Sequence, residues 1–123
     1  APWIGEQHGD HYQAARLARL GFALSGCDAL ALGYEVWSPL EPRWLIDISA
    51  VWEKKLAAVK EHASQLDHTD LCELALSNSA RRAHLLSKSS AFTPHRRAEA
   101  FCELGAPEAA DRELLAVLTG EAA

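Results

Sequence analysis

No stretch of this 123-residue chain strings together the roughly 18 apolar residues that a membrane-spanning helix requires, and the N-terminus lacks the basic-then-apolar layout of a secretory leader. No membrane partner is expected, and a cytoplasmic setting is. Cysteine is scarce: Cys27, Cys72 and Cys102 are odd in number, far apart and without a Cys-x-x-Cys spacing. That excludes a disulfide framework or a thiolate zinc site and fits a reducing compartment. Positive charge is also short, with 12 Lys and Arg against 17 Asp and Glu and a formal net charge of −5. Only Arg81-Arg82 and His95-Arg96-Arg97 approach a basic patch, so no nucleic-acid partner is expected. Internal repeats and low-complexity tracts are absent too. What remains is 49% apolar and 24% charged, the composition of one globular domain with a single core. The first residue is Ala rather than Met, which raises the expectation of trimming or of a fragment.

The densest chemistry lies in His8-Gly9-Asp10-His11, between the loop Gly5-Glu6-Gln7 and an apolar segment. A neutral imidazole can hold zinc, and a neighbouring carboxylate can fix its tautomer by accepting the other ring proton. Two histidines are one short of the three protein ligands of a catalytic zinc. The plainer alternative makes Asp10 a helix N-cap, accepting from the amides of Tyr12 or Gln13, with His8 and His11 as solvated neighbours.

From His11 to about Leu24 the positions Ala14, Ala15, Leu17, Ala18, Leu20 and Leu24 recur at helical spacing, with Arg16 and Arg19 opposite. This predicts an amphipathic helix whose positive N-terminal end favours an anion beside the histidines. Gly26 suits a left-handed C-cap. Aromatic and β-branched residues predict strands at Tyr34–Trp37 and Trp44–Ile48, with Ser49 capping a helix from Ala50 to about Leu66 whose apolar face is Val51, Trp52, Leu56, Val59 and Ala63. Shorter helical turns follow at Leu71–Leu76 and Ala80–Leu86, then a polar loop over Ser87–Pro94, an apolar patch at Ala98–Leu104 and a final helix over Pro107–Leu118. Two strands seldom make a stable sheet, so the sheet is expected to continue in further chain or in a second subunit.

Taken in order, His8-Gly9-Asp10-His11, Tyr34-Glu35-Val36-Trp37, Ile46-Asp47-Ile48-Ser49, Trp52-Glu53-Lys54-Lys55-Leu56, His62-Ala63-Ser64-Gln65 and Ala98-Glu99-Ala100-Phe101 resemble the C-terminal half of a PIG-L/LmbE-type zinc-dependent N-deacetylase. The resemblance runs from about Gly5 to Phe101. It implies an α/β, Rossmann-like layered fold of which residues 1–123 are the C-terminal part and 105–123 a helical tail. It also implies hydrolysis of the N-acetyl group of a glucosamine-type sugar conjugate, with Zn2+ as cofactor. By the same resemblance His11 is the zinc ligand, Asp10 helps to orient a histidine, and His8 faces the substrate to stabilise charge on the amide oxygen or pass a proton. Gly9 stands where the family usually has proline. The family's upstream His-Pro-Asp-Asp motif, which supplies two further ligands and the base, matches nothing in these residues. The resemblance therefore implies a partner: a missing N-terminal half, a second chain or a second subunit in a homo-oligomer. This chain by itself is expected to be inactive.

Asp47 sits at a strand end where it touches a site or, more ordinarily, caps the following helix. His62, Ser64 and Gln65 suit packing or subunit contacts, and His68, His84 and His95 the surface. The four tryptophans read as core or interface mass, with Trp3 or Trp37 also able to stack on a sugar. Cys72 and Cys102 read as buried thiols in apolar helical patches. A rival reading of a different class keeps the half-fold as a non-catalytic interaction or assembly module.

Overall fold

The computed structural model describes residues 1–86 and 96–120. Among them are α1 (Gly9–Ser25), β1 (Leu32–Tyr34), β2 (Trp44–Asp47), a 3-10 turn at Ser49–Val51, α2 (Trp52–Lys60), α3 (Ala63–Leu66), α4 (Leu71–Leu86), β3 (Ala98–Glu103) and α5 (Ala109–Thr119). The fold is mixed α/β, with a small antiparallel sheet of order β1-β3-β2. The predicted polar loop at Ser87–Pro94 and His95 lie outside the described residues. Among those residues, no helix is long and apolar enough to cross a membrane.

The chain divides into two compact units, residues 1–43 with 101–123, and 44–100. In the first, β1 runs antiparallel to the C-terminal part of β3, pairing Leu32 with Glu103, Gly33 with Cys102 and Tyr34 with Phe101. Pro2 forms a parallel bridge to Tyr34, with the Trp3 amide donating to the Tyr34 carbonyl at 3.0 Å. In the second unit α4 packs against both α2 and β2.

The third strand is the main departure from expectation. Ala98–Glu103 reads as a patch without strand signal because alanine and glutamate are poor strand formers. Nevertheless Ala98 and Ala100 are buried, at 1% and 3% exposure, two apart on one face of β3. Small side chains there let neighbouring elements approach closely, and burial outweighs weak propensity. β1 correspondingly ends at Tyr34, and residues 36–38 form a turn instead of the predicted continuation to Trp37.

Helix α1 buries only part of the predicted apolar face, and an arginine with it. Ala15, Leu20 and Arg19 are inside, whereas Leu17 and Leu24 are 68% and 49% exposed. Two arginines turn inward because their charge has partners there. Arg19 donates from Nε to the Leu104 carbonyl (2.6 Å) and pairs with Glu108 (3.3 Å), and Arg16 grips Asp111 of α5. Gly26, at φ +60°, ends α1 in the left-handed conformation expected of it.

The single helix predicted over Ala50–Leu66 is interrupted where His62, at ψ 49°, leaves the helical region. Ser49 lies inside the 3-10 turn, its hydroxyl accepting from the Arg97 amide at 2.9 Å, so it does not cap α2. The two predicted turns over 71–86 are one continuous helix. Ser77 and Ser79 do not break it because their hydroxyls donate back to the carbonyls of Glu73 and Leu76 within the helix. Asp47 does not cap the following helix, since Ile48 and Val51 hold the N-cap positions of the 3-10 turn and of α2; it accepts the Ser49 amide two residues on at 2.9 Å and pairs with Arg96 at 3.0 Å, contacts that hold its carboxyl below the usual range.

Cys102 is on β3, not on a helix, and partly buried; burial pushes its thiol pKa up. Cys27 is exposed just beyond α1, in an open cleft also lined by Phe22 and Pro107. Because the thiolate is the reactive form, Cys27 is expected to be alkylated at least ~10-fold faster than Cys102 at neutral pH. Peptide mapping after timed iodoacetamide labelling checks this; equal rates would contradict the burial of Cys102.

Candidate active site

The histidine cluster is positioned by Glu6. This residue sits two before His8, in irregular chain, yet its side chain is completely buried. Its carboxylate accepts three consecutive backbone N–H groups: Val36 at 2.7 Å, Trp37 at 3.1 Å to each oxygen, and Ser38 at 3.2 and 3.3 Å. Successive amides converging on one anion form a nest, and here the anion belongs to the protein itself. The turn after β1 is thereby fastened to the segment leading into α1.

Two further bonds reinforce the junction. The Trp3 indole N–H donates to the Ser38 carbonyl at 2.9 Å, and the Gln7 amide donates to the Ser38 hydroxyl at 3.1 Å. Gly5 allows Trp3 to lie where it does, since a Cβ on residue 5 would land in the indole ring. Glu35 braces the far side by accepting the Leu40 amide at 2.8 Å.

On this base the chain turns into α1. His8 occupies the N-cap position with extended backbone and no side-chain cap bond, and it is exposed. Asp10 falls in the first helical turn, also exposed, so it is not the N-cap that the sequence allowed. Among the described residues Asp10 has no hydrogen bond or ion pair to either imidazole. There it complements the positive end of the helix.

His11 is half-buried, with its side chain 28% exposed. Its ring centroid lies 4.8 Å from that of His8, tilted by 43°. Its Nδ1 is buried without a hydrogen-bond partner, and the nearest acid oxygen is Oε2 of Glu6, 3.8 Å away. The structure thus brings His8 and His11 together and puts a carboxylate behind His11, but that carboxylate is Glu6 and not Asp10.

Glu6 was invisible in the sequence as a site residue because the hydrogen-bond donors that fix its carboxylate are main-chain amides about thirty positions away. A lone acid before His-Gly-Asp-His carries no periodic or motif signal of its own. Trp37, on the same turn, is 40% exposed, while Trp3 is more enclosed. His62, Ser64, Gln65, His68 and His84 are exposed. Among the described residues no group of three or more His, Cys, Asp or Glu side chains could hold a metal ion.

No family model, curated protein or solved structure matches this chain.

Proposed function

We propose that this chain is the C-terminal portion of a Rossmann-like zinc-dependent N-deacetylase of the PIG-L/LmbE type, acting on an N-acetylated glucosamine conjugate. The observation that supports the reading most is the setting of His11: an imidazole at a helix start, one nitrogen buried toward a carboxylate, with a second imidazole 4.8 Å off. Donor chemistry at His11 suits zinc, because a carboxylate behind a ligating imidazole fixes its orientation and raises its basicity. The ligand count within the described residues does not reach three, so His11 would be one ligand and the others would come from polypeptide outside them.

Zinc, when bound, lowers the pKa of water from 15.7 to about 7 and polarises a carbonyl. This chain's own groups have separate tasks. His11 contributes a lone pair. His8, exposed beside it, can donate a hydrogen bond to the amide oxygen or carry a proton to the departing amine, and losing a donor of that kind typically costs about 10²- to 10³-fold in rate. Trp37, held on the turn that Glu6 organises, offers an apolar face for a sugar ring.

In the polypeptide that carries this chain together with the remaining ligands, His11→Ala is expected to bring zinc content to background in elemental analysis. Amine release from an N-acetylglucosamine conjugate should fall to background with it. Retained zinc with full activity would refute the assignment. If the unsubstituted polypeptide neither retains zinc nor releases amine, the remaining reading is a half-fold kept for assembly.

A further inference from the structure

We infer that Glu6 is the positioning residue that sets the tautomer of His11, holding the ring proton on Nδ1 and leaving Nε2 as the donor nitrogen. Its catalytic meaning rests on the zinc reading above. The tautomer can be read without any metal.

Three observations converge. First, the Glu6 carboxylate cannot swing away, since it is fully buried and five N–H···O contacts from Val36, Trp37 and Ser38 hold it. Second, Nδ1 of His11 is buried and has no other partner among the described residues. Third, Oε2 of Glu6 is the acid oxygen facing it, at 3.8 Å.

A neutral imidazole presents either a lone pair or an N–H at Nδ1. A lone pair directed at a carboxylate is repelled and an N–H is attracted, and the weak screening of a buried site enlarges that difference. Free histidine in water prefers the proton on Nε2, so the site has to reverse an intrinsic preference. The separation exceeds a hydrogen bond by about 0.6 Å or more. Such contacts are commonly long in an unliganded site and tighten when it fills. The geometry gives Asp10, which the family resemblance would choose, no contact with either ring.

Substitution by glutamine has a defined consequence. The three amides of residues 36–38 require an acceptor and would claim the one remaining oxygen, which turns the new NH2 group toward His11. Nδ1 then becomes the acceptor and the proton moves to Nε2.

The test is long-range 1H–15N correlation on histidine-labelled protein, above the imidazole titration range, with His11→Gln to assign the signals. The Nδ1–H form should be the majority for His11 in the wild type and the minority in Glu6→Gln, and Asp10→Asn should leave it unchanged. A wild-type ring protonated on Nε2 overturns the inference, and that measurement does not depend on whether the variant folds. A shift in Asp10→Asn but not in Glu6→Gln overturns it as well. In the complete polypeptide, Glu6→Gln should weaken zinc binding about 10- to 100-fold. If the tautomer inverts while zinc is not bound at all, the zinc reading falls and the role of Glu6 stands.

Discussion

Glu6→Ala is expected to destabilise the first unit by about 2–4 kcal/mol, since each buried hydrogen-bonding group left unsatisfied costs about 1–3 kcal/mol. Three backbone N–H groups, those of Val36, Trp37 and Ser38, lose their acceptor together. The full sum is not reached because Trp37 is exposed and water can reach its amide once the carboxylate is gone. Ser38 is buried at 7% exposure, and its amide has the least recourse. Urea unfolding at neutral pH should show a lower midpoint, and hydrogen exchange at the amides of 36–38 should accelerate. A change below about 1 kcal/mol with unaltered exchange would mean that these bonds do not hold the turn. Because the turn and the start of α1 are joined through Glu6, the same substitution should broaden the His8 and His11 ring resonances without touching either ring directly.

The second large effect lies where α1 meets α5. Asp111 is 1% exposed, and its Oδ1 accepts from both Nε (2.9 Å) and Nη2 (2.5 Å) of Arg16. The hydrogen bond from Arg16, then its charge, with the backbone of Glu108 contributing, holds the Asp111 carboxyl below its ordinary value near 3.8. A carboxyl with a depressed folded-state pKa stabilises the fold above its unfolded pKa. That contribution is lost as the pH falls through the folded value. Thermal stability should therefore decline as the pH drops below about 4. Asp111→Asn should flatten that acid limb and lower Tm at neutral pH by roughly 5 °C. Arg16→Ala should cost more than its removal in the Asp111→Ala background, because in the single variant a buried carboxylate loses the guanidinium that donates to its Oδ1. Equal costs in the two backgrounds would show that the pair is not coupled. Arg16 is itself held above its ordinary value by Asp111, so it stays charged throughout this range.

Much of the local architecture could be read from residue order. Helical spacing announced α1, with Gly26 as its stop, and the start of α2, and the run Trp44–Ile48 announced β2, whereas the run Tyr34–Trp37 meets β1 only at Tyr34. The surface placement of His68 and His84 also followed from local rules. The histidines of the candidate site were legible for the same reason: His8 and His11 are three apart at a helix start, which puts their rings side by side.

The inward positions Ala15 and Leu20 of α1 were legible, but the burial of Arg19 and the exposure of Leu17 and Leu24 were not. Apolar spacing favoured Leu17 and Leu24, but the interior supplies carbonyl and carboxylate partners for Arg16 and Arg19 from residues 104, 108 and 111, nearly a chain length away. β3 was hidden because alanine and glutamate signal helix locally, and strand pairing is a contact between segments distant in sequence. Glu6 was hidden for a related reason, as its partners are main-chain amides that become an anion nest only when the turn after β1 has formed. Sequence alone determined most of the helices, strand β2 and the chemistry available at His8, Asp10 and His11, because those depend on neighbours along the chain. Tertiary structure decided which charges are buried and which carboxylate stands behind the imidazole, because those depend on groups that meet only through folding.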